Sequence, residues 1–456
     1  MKKNLTFFKN SLLGLLFVSL FSFSASAQQW DTVGTALETN TSSSYHNIES
    51  YNDTLYVAYA NSLYGSKVIV KKYDGMTWQR LGAAGFSAGV ATSIDFKINS
   101  IGELYVTYVD QANSNGITVM KYENSSWIPV GTANLSSGQG GDPSLGFDNS
   151  DVPHVSYVSG ANFPQLEVVV KKFTGSTWND VGGAVYSAMN NPPPADIDLA
   201  FSSTGVPYVA YTAGAGLGIG VRSLSTSGTS WSVVGSSTIV TSAASSTPNL
   251  VFDSNGDLYL ACKDGANGGK TTVQKYSGGS WFAEGPVGFT TSSAFTQEIG
   301  LNSSGVPYVV QTQSNGGTRN AVVYGYDGTN WNTLGGEPVR GSVEYTDMVI
   351  NNNIVYIVYK QFGTSYVLKY DLTTSVNQIS TLNKEITIYP NPTKAQLTIE
   401  GIEGIETIRI LTMDGKVMET ITTTNNTISV EALPQGIYTI EVITTEGVGY
   451  KNFIKQ

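Results

Sequence analysis

Short strand-like segments recur along most of the chain in sets of three. A brief apolar run comes first, a segment of alternating aliphatic and tyrosine residues comes second, and a β-branched segment comes third. Examples are SIDF from Ser93, LYVTY from Leu104 and VIVKKY from Val68. Because alternation between turns rich in Gly, Ser, Asn and Asp is typical of half-buried strands, the pattern predicts an all-β fold.

Tryptophan marks a fourth strand in each set. The seven tryptophans recur about every 50 residues, and each is followed four residues later by glycine. Four strands per repeat of this length are typical of one blade of a β-propeller. A Trp at the same place in every repeat is expected to pack between neighbouring sheets. The residues are Trp30, Trp78, Trp127, Trp178, Trp231, Trp281 and Trp331.

The two ends of the repeat array complement each other. Trp30 has no strands before it, while the last set of three strands ends near Leu372 with no tryptophan after it. The sequence therefore predicts a seven-bladed β-propeller over residues 28–372, closed by its N-terminal strand, which pairs two otherwise exposed edges. The alternative is an open array or two smaller units. The double glycine of kelch blades, the WD ending of WD40 blades and the Asp-box spacing of sialidases are missing.

Recognition is expected where the repeats differ, in the longer loops of one face. Such loops begin near Thr132, Ser159 and Gly183, and aromatic residues within or beside them are candidate contacts for sugar rings or proteins. Phe163 and Tyr186 are the two ligand candidates chosen from this set, and the alternative for each is packing beneath its own loop. The other loop aromatics are Tyr64, Phe86, Phe289, Phe295, Tyr345 and Phe362.

Polar residues at the entry of each first strand form a second group of candidates. By strand direction they are expected to surround a central channel, and its acidic arc would suit a cation, a basic group or sugar hydroxyls. Alternatively, these residues solvate the channel or cap strand ends. Asp198, Asn249, Glu298 and Asp347 are the ligand candidates within the full set, which is Asn47, Ser93, Ser144, Asp198, Asn249, Glu298 and Asp347.

Composition restricts the chemistry. Only 13% of residues are charged and 41% are hydrophobic, as in a folded protein. The single cysteine, Cys262, excludes an intrachain disulfide, and His46 and His154 show no catalytic motif. The turn FDSNGD from Phe252 lacks the distal glutamate of a calcium loop. A net charge of −10 argues against nucleic acid as a partner, and no cofactor is predicted.

The first segment is typical of a secretory signal peptide. Residues 1–27 begin with lysines, continue through an apolar run from Leu12 to Phe23 and end in an A-x-A motif, so cleavage is expected between Ala27 and Gln28. The run is too short to span a membrane, which needs about 20 residues. The alternative is a retained anchor, and no transmembrane segment is predicted elsewhere.

After a polar linker at 373–383, residues 384–456 change composition and contain strand patterns separated by the turns PNPT, MDGK and LPQG. This predicts a small Ig-like β-sandwich. Its motifs resemble the type A C-terminal sorting domain of type IX secretion cargo. An Ig-like binding module is the alternative. The residues that carry the resemblance are Tyr389, Pro390, Asn391, Pro392, Gly415, Gly436, Tyr438 and Lys451.

That resemblance implies passage through the periplasm of a Gram-negative bacterium and then through the outer membrane by the type IX secretion machinery. The cargo would be released or anchored at the surface. We expect a non-enzymatic binding module for an extracellular glycan or protein. A polysaccharide hydrolase or lyase and a structural surface protein are the alternatives. The ligand and the oligomeric state stay open.

Overall fold

In the computed structural model, two compact units divide the chain at residues 370 and 371. The predicted signal peptide with its Ala27–Gln28 cleavage site, most of the linker, Phe163 and Gly415 lie outside the described residues. The structure describes residues 30–374 and 386–456, apart from 137, 163, 190–193, 215, 238–239, 242–243, 316, 337–338, 340, 402, 413–416, 423–424 and 445–446.

The larger unit consists of antiparallel sheets whose strands follow one another in chain order. Two sheets depart from this order: the outer strand of sheet 7 is β1 (Asp31–Thr32), and the last strand of sheet 3 pairs with the third strand of that sheet. Sheet 1 contains β2 (Ser43–Tyr51), β3 (Thr54–Asn61), β4 (Lys67–Tyr73) and β5 (Trp78–Arg80); sheet 2 contains β6 (Ala91–Ile98), β7 (Leu104–Asp110), β8 (Gly116–Glu123) and β9 (Ser126–Pro129); sheet 3 contains β10 (Gly140–Phe147), β11 (Pro153–Ser159), β12 (Gln165–Phe173), β13 (Trp178–Asp180) and β14 (Tyr186–Met189).

The remaining sheets of this unit repeat the pattern. Short 3-10 turns occur at Ser62–Tyr64, Gln111–Asn113, Gly265–Asn267 and Leu372–Thr374. Sheet 4 contains β15 (Ala195–Phe201), β16 (Pro207–Thr212), β17 (Ile219–Leu224) and β18 (Trp231–Val233); sheet 5 contains β19 (Ser246–Phe252), β20 (Leu258–Asp264), β21 (Lys270–Ser277) and β22 (Ser280–Ala283); sheet 6 contains β23 (Ala294–Leu301), β24 (Pro307–Asn315), β25 (Thr318–Tyr326) and β26 (Trp331–Thr333); sheet 7 contains β27 (Val343–Asn351), β28 (Ile354–Gln361), β29 (Thr364–Asp371) and β1.

The all-β prediction is confirmed, and the first strands of the sheets lie side by side. Each first strand contacts the first strand of the next sheet, and β27 of sheet 7 contacts β2 of sheet 1. Apolar side chains fill the space between neighbouring sheets: Val68 and Val70 of sheet 1, for example, share a cluster with Phe96 and Val106 of sheet 2. The core is therefore a series of clusters between sheets.

The tryptophans explain much of the repeat. Each indole Nε1–H donates to a backbone carbonyl three residues after the preceding tryptophan, as Trp78 does to Val33 at 3.1 Å and Trp127 to Leu81 at 3.0 Å. Trp30 donates to Leu334 of the last repeat at 3.1 Å. The remaining bonds run from Trp178 to Val130, from Trp231 to Val181, from Trp281 to Val234 and from Trp331 to Glu284.

The glycine that follows each tryptophan has a steric reason. Gly82 has φ +75°, and a Cβ there would lie 3.0 Å from the Trp127 ring; Gly335 at φ +62° stands in the same relation to Trp30. A residue with a side chain would be strained at this φ and would push the next indole away. The residue before this glycine is aliphatic in six repeats and is Glu284 in the remaining one. Since Glu284 contributes only its carbonyl to the indole contact, its side chain can differ from the others.

The smaller unit is a β-sandwich. Its two sheets share one buried core that includes Ile399, Ile408, Ile440 and Phe453. One sheet has the order β30-β31-β34 and the other the order β33-β32-β35-β36. The strands are β30 (Thr387–Tyr389), β31 (Gln396–Glu400), β32 (Ile405–Thr412), β33 (Val417–Thr422), β34 (Thr427–Ser429), β35 (Gly436–Thr444) and β36 (Gly447–Lys455).

Candidate functional site

Strand pairing shows which first-strand residues are equivalent in the ring predicted to surround a channel, and it replaces one predicted member. Asn47 pairs with Ala58 and Asp198 pairs with Ala210, and the equivalent pair in sheet 2 is Asp95 with Thr107. Ser93 lies two residues earlier, at a β-bulge with φ +46°. Local sequence alignment ended this strand at Phe96, whereas β6 continues to Ile98, so the predicted position was two residues too early. The channel ring is therefore Asn47, Asp95, Ser144, Asp198, Asn249, Glu298 and Asp347.

Several ring side chains join one sheet to the next. Asp95 accepts a hydrogen bond from the backbone N–H of Leu145 in sheet 3 at 2.6 Å. Asp347 of sheet 7 accepts the N–H of Ile48 in sheet 1 at 2.7 Å. Charged acceptors form the stronger hydrogen bonds in proteins, so the ring contributes to cohesion between sheets. The same contact occurs between Ser144 and Leu199 at 3.1 Å and between Asp198 and Leu250 at 2.6 Å.

Two further carboxylates have side-chain partners. Asn249 donates to Glu298 at 3.0 Å across the interface between sheets 5 and 6. Glu49, two residues beyond Asn47, forms an ion pair with the ammonium of Lys97 at 2.8 Å, and Asp95 lies 4.0 Å from the same nitrogen. Lys97 thus lies among the channel acids, although no sequence motif marked it.

The acids have pKa values shaped by burial and by each other. Burial raises the pKa of Asp347 to about 7 and that of Asp198 to about 6, against the opposing effects of Lys97 and of the backbone N–H donors. Burial and the neighbouring charges of Asp347 and Asp198 raise the pKa of Glu298 well above its usual range. Part of the ring is therefore protonated at neutral pH.

For the pKa of Lys97, the neighbouring charges outweigh burial. Burial by itself would lower its pKa, but the surrounding acids, Glu49 foremost and then Asp95, raise it well above the usual value. The Lys97 side chain is 42% exposed to solvent because it lines a cavity beneath the ring. Lys97 therefore carries a permanent positive charge between the ring and this cavity.

The cavity opens on the face that carries the turns between first and second strands, which we call the turn face. It has a volume of about 550 Å³ and lies between sheets 2, 3 and 4. Sequence reasoning placed recognition on the opposite, loop-bearing face. The lining consists of Lys97, Ile98, Asn99, Ser100, Leu145, Gly146, Phe147, Asp148, Asn149, Asp151, Leu199, Phe201 and Ser203.

Contacts between turns hold the cavity rim in place. Ser100 donates its backbone N–H and its hydroxyl to the carboxylate of Asp151, at 2.9 and 2.6 Å. Asn149 donates its side-chain amide to the carbonyl of Ser203 at 2.7 Å. Deeper in the cavity, Gly146 leaves room for Phe201, whose ring would lie 2.8 Å from a Cβ at that position. The rim is thus a built feature of three adjacent sheets.

The loop-face mouth of the channel has an unusual backbone. Tyr45 and Tyr345 occupy bulge positions at φ +55° and +52°, and their rings lie 5.6 Å apart. Asp196 donates its backbone N–H to Asp142 at 3.3 Å, and both residues also have positive φ. Positive φ is strained for residues other than glycine, and it persists only where the surrounding structure holds the backbone in that conformation.

The other predicted contacts are mostly enclosed. Tyr186 is half-buried, stacks on Tyr211 at 4.7 Å and donates its hydroxyl to the carbonyl of Ala213 at 3.1 Å. Phe86 and Phe289 each stack on a tryptophan of the repeat. These aromatics anchor their own loops.

Among the loop aromatics, Phe295 and Phe362 are exposed. Arg319 lies over the Phe295 ring at 4.3 Å. His46 is buried and bonded to Ser365 at 2.9 Å, and burial followed by the charge of Lys360 lowers its pKa to about 3. His154 and Cys262 are buried as well.

No group of three or more His, Cys, Asp or Glu side chains in the described part of the chain is arranged to hold a metal ion. Asp253 of the FDSNGD turn accepts the backbone N–H groups of Asn255 and Asp257, each at 2.9 Å. Its carboxylate therefore stabilises its own turn. Within the described ranges, no helix has the length and apolar character to cross a membrane.

In the smaller unit, the sequence motifs join the two ends of the sandwich. Asn391 donates to the carbonyl of Asn452 at 3.1 Å and accepts the N–H of Ile454 at 2.9 Å. Tyr438 is buried against Phe453 and donates its hydroxyl to Pro434 at 3.0 Å. Gly436 pairs with Lys455, and Lys451 pairs with Ile440. Residues 387–456 match the family model described as a secretion system C-terminal sorting domain.

The segment is a sorting domain. The resemblance inferred from its motifs is confirmed, and the chain is a cargo of the type IX secretion machinery. A sorting domain directs its cargo to the cell surface or beyond, so the predicted destination is confirmed too. A comparison with curated proteins finds no match to this sequence.

Three solved structures resemble this chain over part of its length. PorZ, a surface component of the type IX secretion system of Porphyromonas gingivalis, has 16% identity and a TM-score of 0.46 over 90% of this chain, which spans 59% of PorZ. An ulvan lyase of polysaccharide lyase family PL25 has 12% identity and a TM-score of 0.48, over 75% of this chain and 94% of its own.

A lectin from Aleuria aurantia, solved with Fucα1-6GlcNAc, has 18% identity and a TM-score of 0.45, over 65% of this chain and 96% of the lectin. With TM-scores below 0.5, these similarities carry no argument about the ligand or the chemistry of the cargo that the sorting domain exports.

Proposed function

We propose that the exported cargo is a seven-bladed β-propeller that binds an extracellular ligand without chemically changing it. In this proposal a signal peptide at 1–27 is removed, the propeller occupies 28–372, and the linker 373–383 joins it to the sorting domain at 384–456. The pairing of β1 with β29, the contact of β27 with β2 and the Trp30–Leu334 bond support closure by the N-terminal strand.

The observation that carries the binding function is that the five channel carboxylates already have protein partners. Asp95, Asp198 and Asp347 accept backbone N–H groups, Glu298 accepts from Asn249, and Glu49 pairs with Lys97. Hydrolysis of a glycosidic bond usually needs two carboxyl groups, one to protonate the leaving oxygen and one to act on the sugar or on water. Because these carboxylates already hydrogen-bond or form ion pairs within the protein, they favour a binding role over hydrolysis of a glycosidic bond.

The test is a binding and turnover assay on the full-length secreted protein. Immobilised glycans and cell-surface proteins are probed for saturable binding, and the soluble phase is analysed by chromatography and mass spectrometry. We expect binding with chemically unchanged ligand. Robust conversion of any polysaccharide contradicts the proposal.

A polysaccharide-degrading enzyme is the second candidate, favoured by one observation. The pKa of Asp347 near 7 lies in the range in which a carboxyl group acts as a general acid at neutral pH. If this activity exists, Asp347→Asn lowers turnover by about 100-fold or more. Ser144→Ala, which removes a ring hydroxyl with no acid function, is the matched control.

A further inference from the structure

We infer that the turn-face cavity is the ligand site and that it binds a neutral sugar unit. This inference rests on the proposed binding function and adds a location and a ligand class. The cavity volume of about 550 Å³ lies within the range of small-molecule sites, roughly 300–1,000 Å³.

The lining offers the two kinds of contact that a sugar ring needs. Phe147 and Phe201, both half-buried, provide carbon surface for the C–H faces of a pyranose, and the buried Leu145 and Leu199 support it from below. Asn149 uses its side-chain nitrogen on Ser203, which leaves its amide oxygen for a hydroxyl group of the ligand. Hydroxyl-bearing and amide-bearing side chains around an apolar floor suit a molecule that has many hydroxyl groups and no charge.

The cavity lining carries charges of both signs, so it is complementary to neither an anion nor a cation alone. Asp148 and Asp151 on the rim repel an anionic ligand. Lys97 lies between the cavity and the channel ring, and its ammonium repels a cation that would otherwise be drawn toward the ring. A neutral sugar meets neither barrier.

This feature is specific to three sheets, which separates it from the repeat. The turns at 99–103, 148–152 and 202–206 surround the cavity. The corresponding turn of sheet 5, at 253–257, has the same backbone hydrogen bonds but contributes nothing to the lining. Ser203 and Ser254 occupy equivalent exposed positions in these two kinds of turn.

The pair provides a matched test. Ser203→Trp places a large ring at the cavity rim, while Ser254→Trp places the same ring on an equivalent turn outside it. The carbonyl of Ser203 that holds Asn149 is backbone, so this rim contact survives the substitution. Full-length secreted protein is titrated by calorimetry with neutral cello-, xylo-, manno- and laminari-oligosaccharides, with uronic acid oligomers and with glucosamine oligomers.

We expect at least one neutral oligosaccharide to bind, Ser203→Trp to weaken it by about tenfold or more, and Ser254→Trp to leave it within about twofold. Melting curves verify that both variants fold. The inference is overturned if no neutral sugar binds, if only charged oligomers bind, or if Ser203→Trp leaves the affinity unchanged. Cleavage products in the titration cell would instead contradict the proposed non-enzymatic function, so the two failures are distinguishable.

Discussion

The channel ring and the turn-face cavity are built on the same first strands but use their polar groups differently. The ring has one position in every sheet of the larger unit. Asp95, Asp198 and Asp347 each use a carboxylate oxygen to accept a hydrogen bond from a backbone N–H of the next sheet. Cavity positions belong to three sheets, and Asn149 retains a group for a ligand. The contrast teaches that in a repeat protein a recurring polar residue signals cohesion, while a site is found where symmetry breaks.

If cohesion between sheets dominates stability, loss of the closing strand has the largest effect. Deleting residues 30–37 removes the pairing with β29, the bond from Trp30 to Leu334 and the buried side chains Val33 and Leu37. We expect the cooperative thermal transition of the larger unit to be lost in scanning calorimetry. Asp31→Ala, an exposed change on the same strand, should leave it in place; an unchanged melting temperature in the deletion contradicts closure.

A ring substitution comes next in size. Asp347→Ala leaves the N–H of Ile48 without its acceptor and should cost about 1–3 kcal/mol, measured by urea unfolding at pH 5, where the carboxyl group is largely protonated. Asp347→Asn keeps an acceptor and should cost less. Glu298→Gln, at a ring position for which no backbone N–H contact is seen, is the control. Equal losses in all three variants would deny the cohesive role.

The cavity gives a smaller and more local effect through a matched glycine pair. Gly146 and Gly300 both lie two residues beyond a ring position. A Cβ at 146 would lie 2.8 Å from the Phe201 ring, while one at 300 would lie 3.4 Å from Ile350 and Met348, an ordinary contact. Gly146→Ala should destabilise by about 1–2 kcal/mol, and Gly300→Ala should be neutral or slightly stabilising. The reverse order would contradict the packing of Phe201.

The ring also adds a pH dependence to stability, which is measured as a slope rather than as a loss at one pH. Because the pKa values of Asp198 and Asp347 are raised in the folded chain, to about 6 and 7, the native state holds more protons than the unfolded chain between pH 4 and 7. The free energy of unfolding should therefore fall as the pH rises through this window. The Asp198→Asn/Asp347→Asn double variant should flatten this decline; an unaltered slope contradicts the raised values.

Sequence reasoning predicted the strands, the period and the sorting domain because each leaves a local signal. Alternation, the tryptophan with its glycine, and the motifs around Asn391 and Tyr438 are read directly along the chain. The sheets and the sandwich confirm these features as an all-β fold with a C-terminal sorting domain.

The site could be predicted only in part. Asp198, Asn249, Glu298 and Asp347 were identified as equivalent first-strand positions, but the first strand of sheet 2 extends two residues beyond Phe96, so its position is Asp95 and not Ser93. Lys97 and the cavity left no motif, because they depend on what three sheets place together in space. A lysine inside the first strand of sheet 2, two residues beyond Asp95 and paired with Tyr105, was the available signal.

The chain of indole hydrogen bonds has a consequence for connectivity. Each sheet is fastened to the one before it by the same bond, and Trp30 fastens to Leu334 in the same way as Trp78 fastens to Val33. The indole bond is the same at every interface in this series, so with respect to this bond the position of the chain ends is arbitrary. A circular permutant that joins Asp371 to Trp30 by a short linker and opens the chain in another loop between sheets should reach the same architecture.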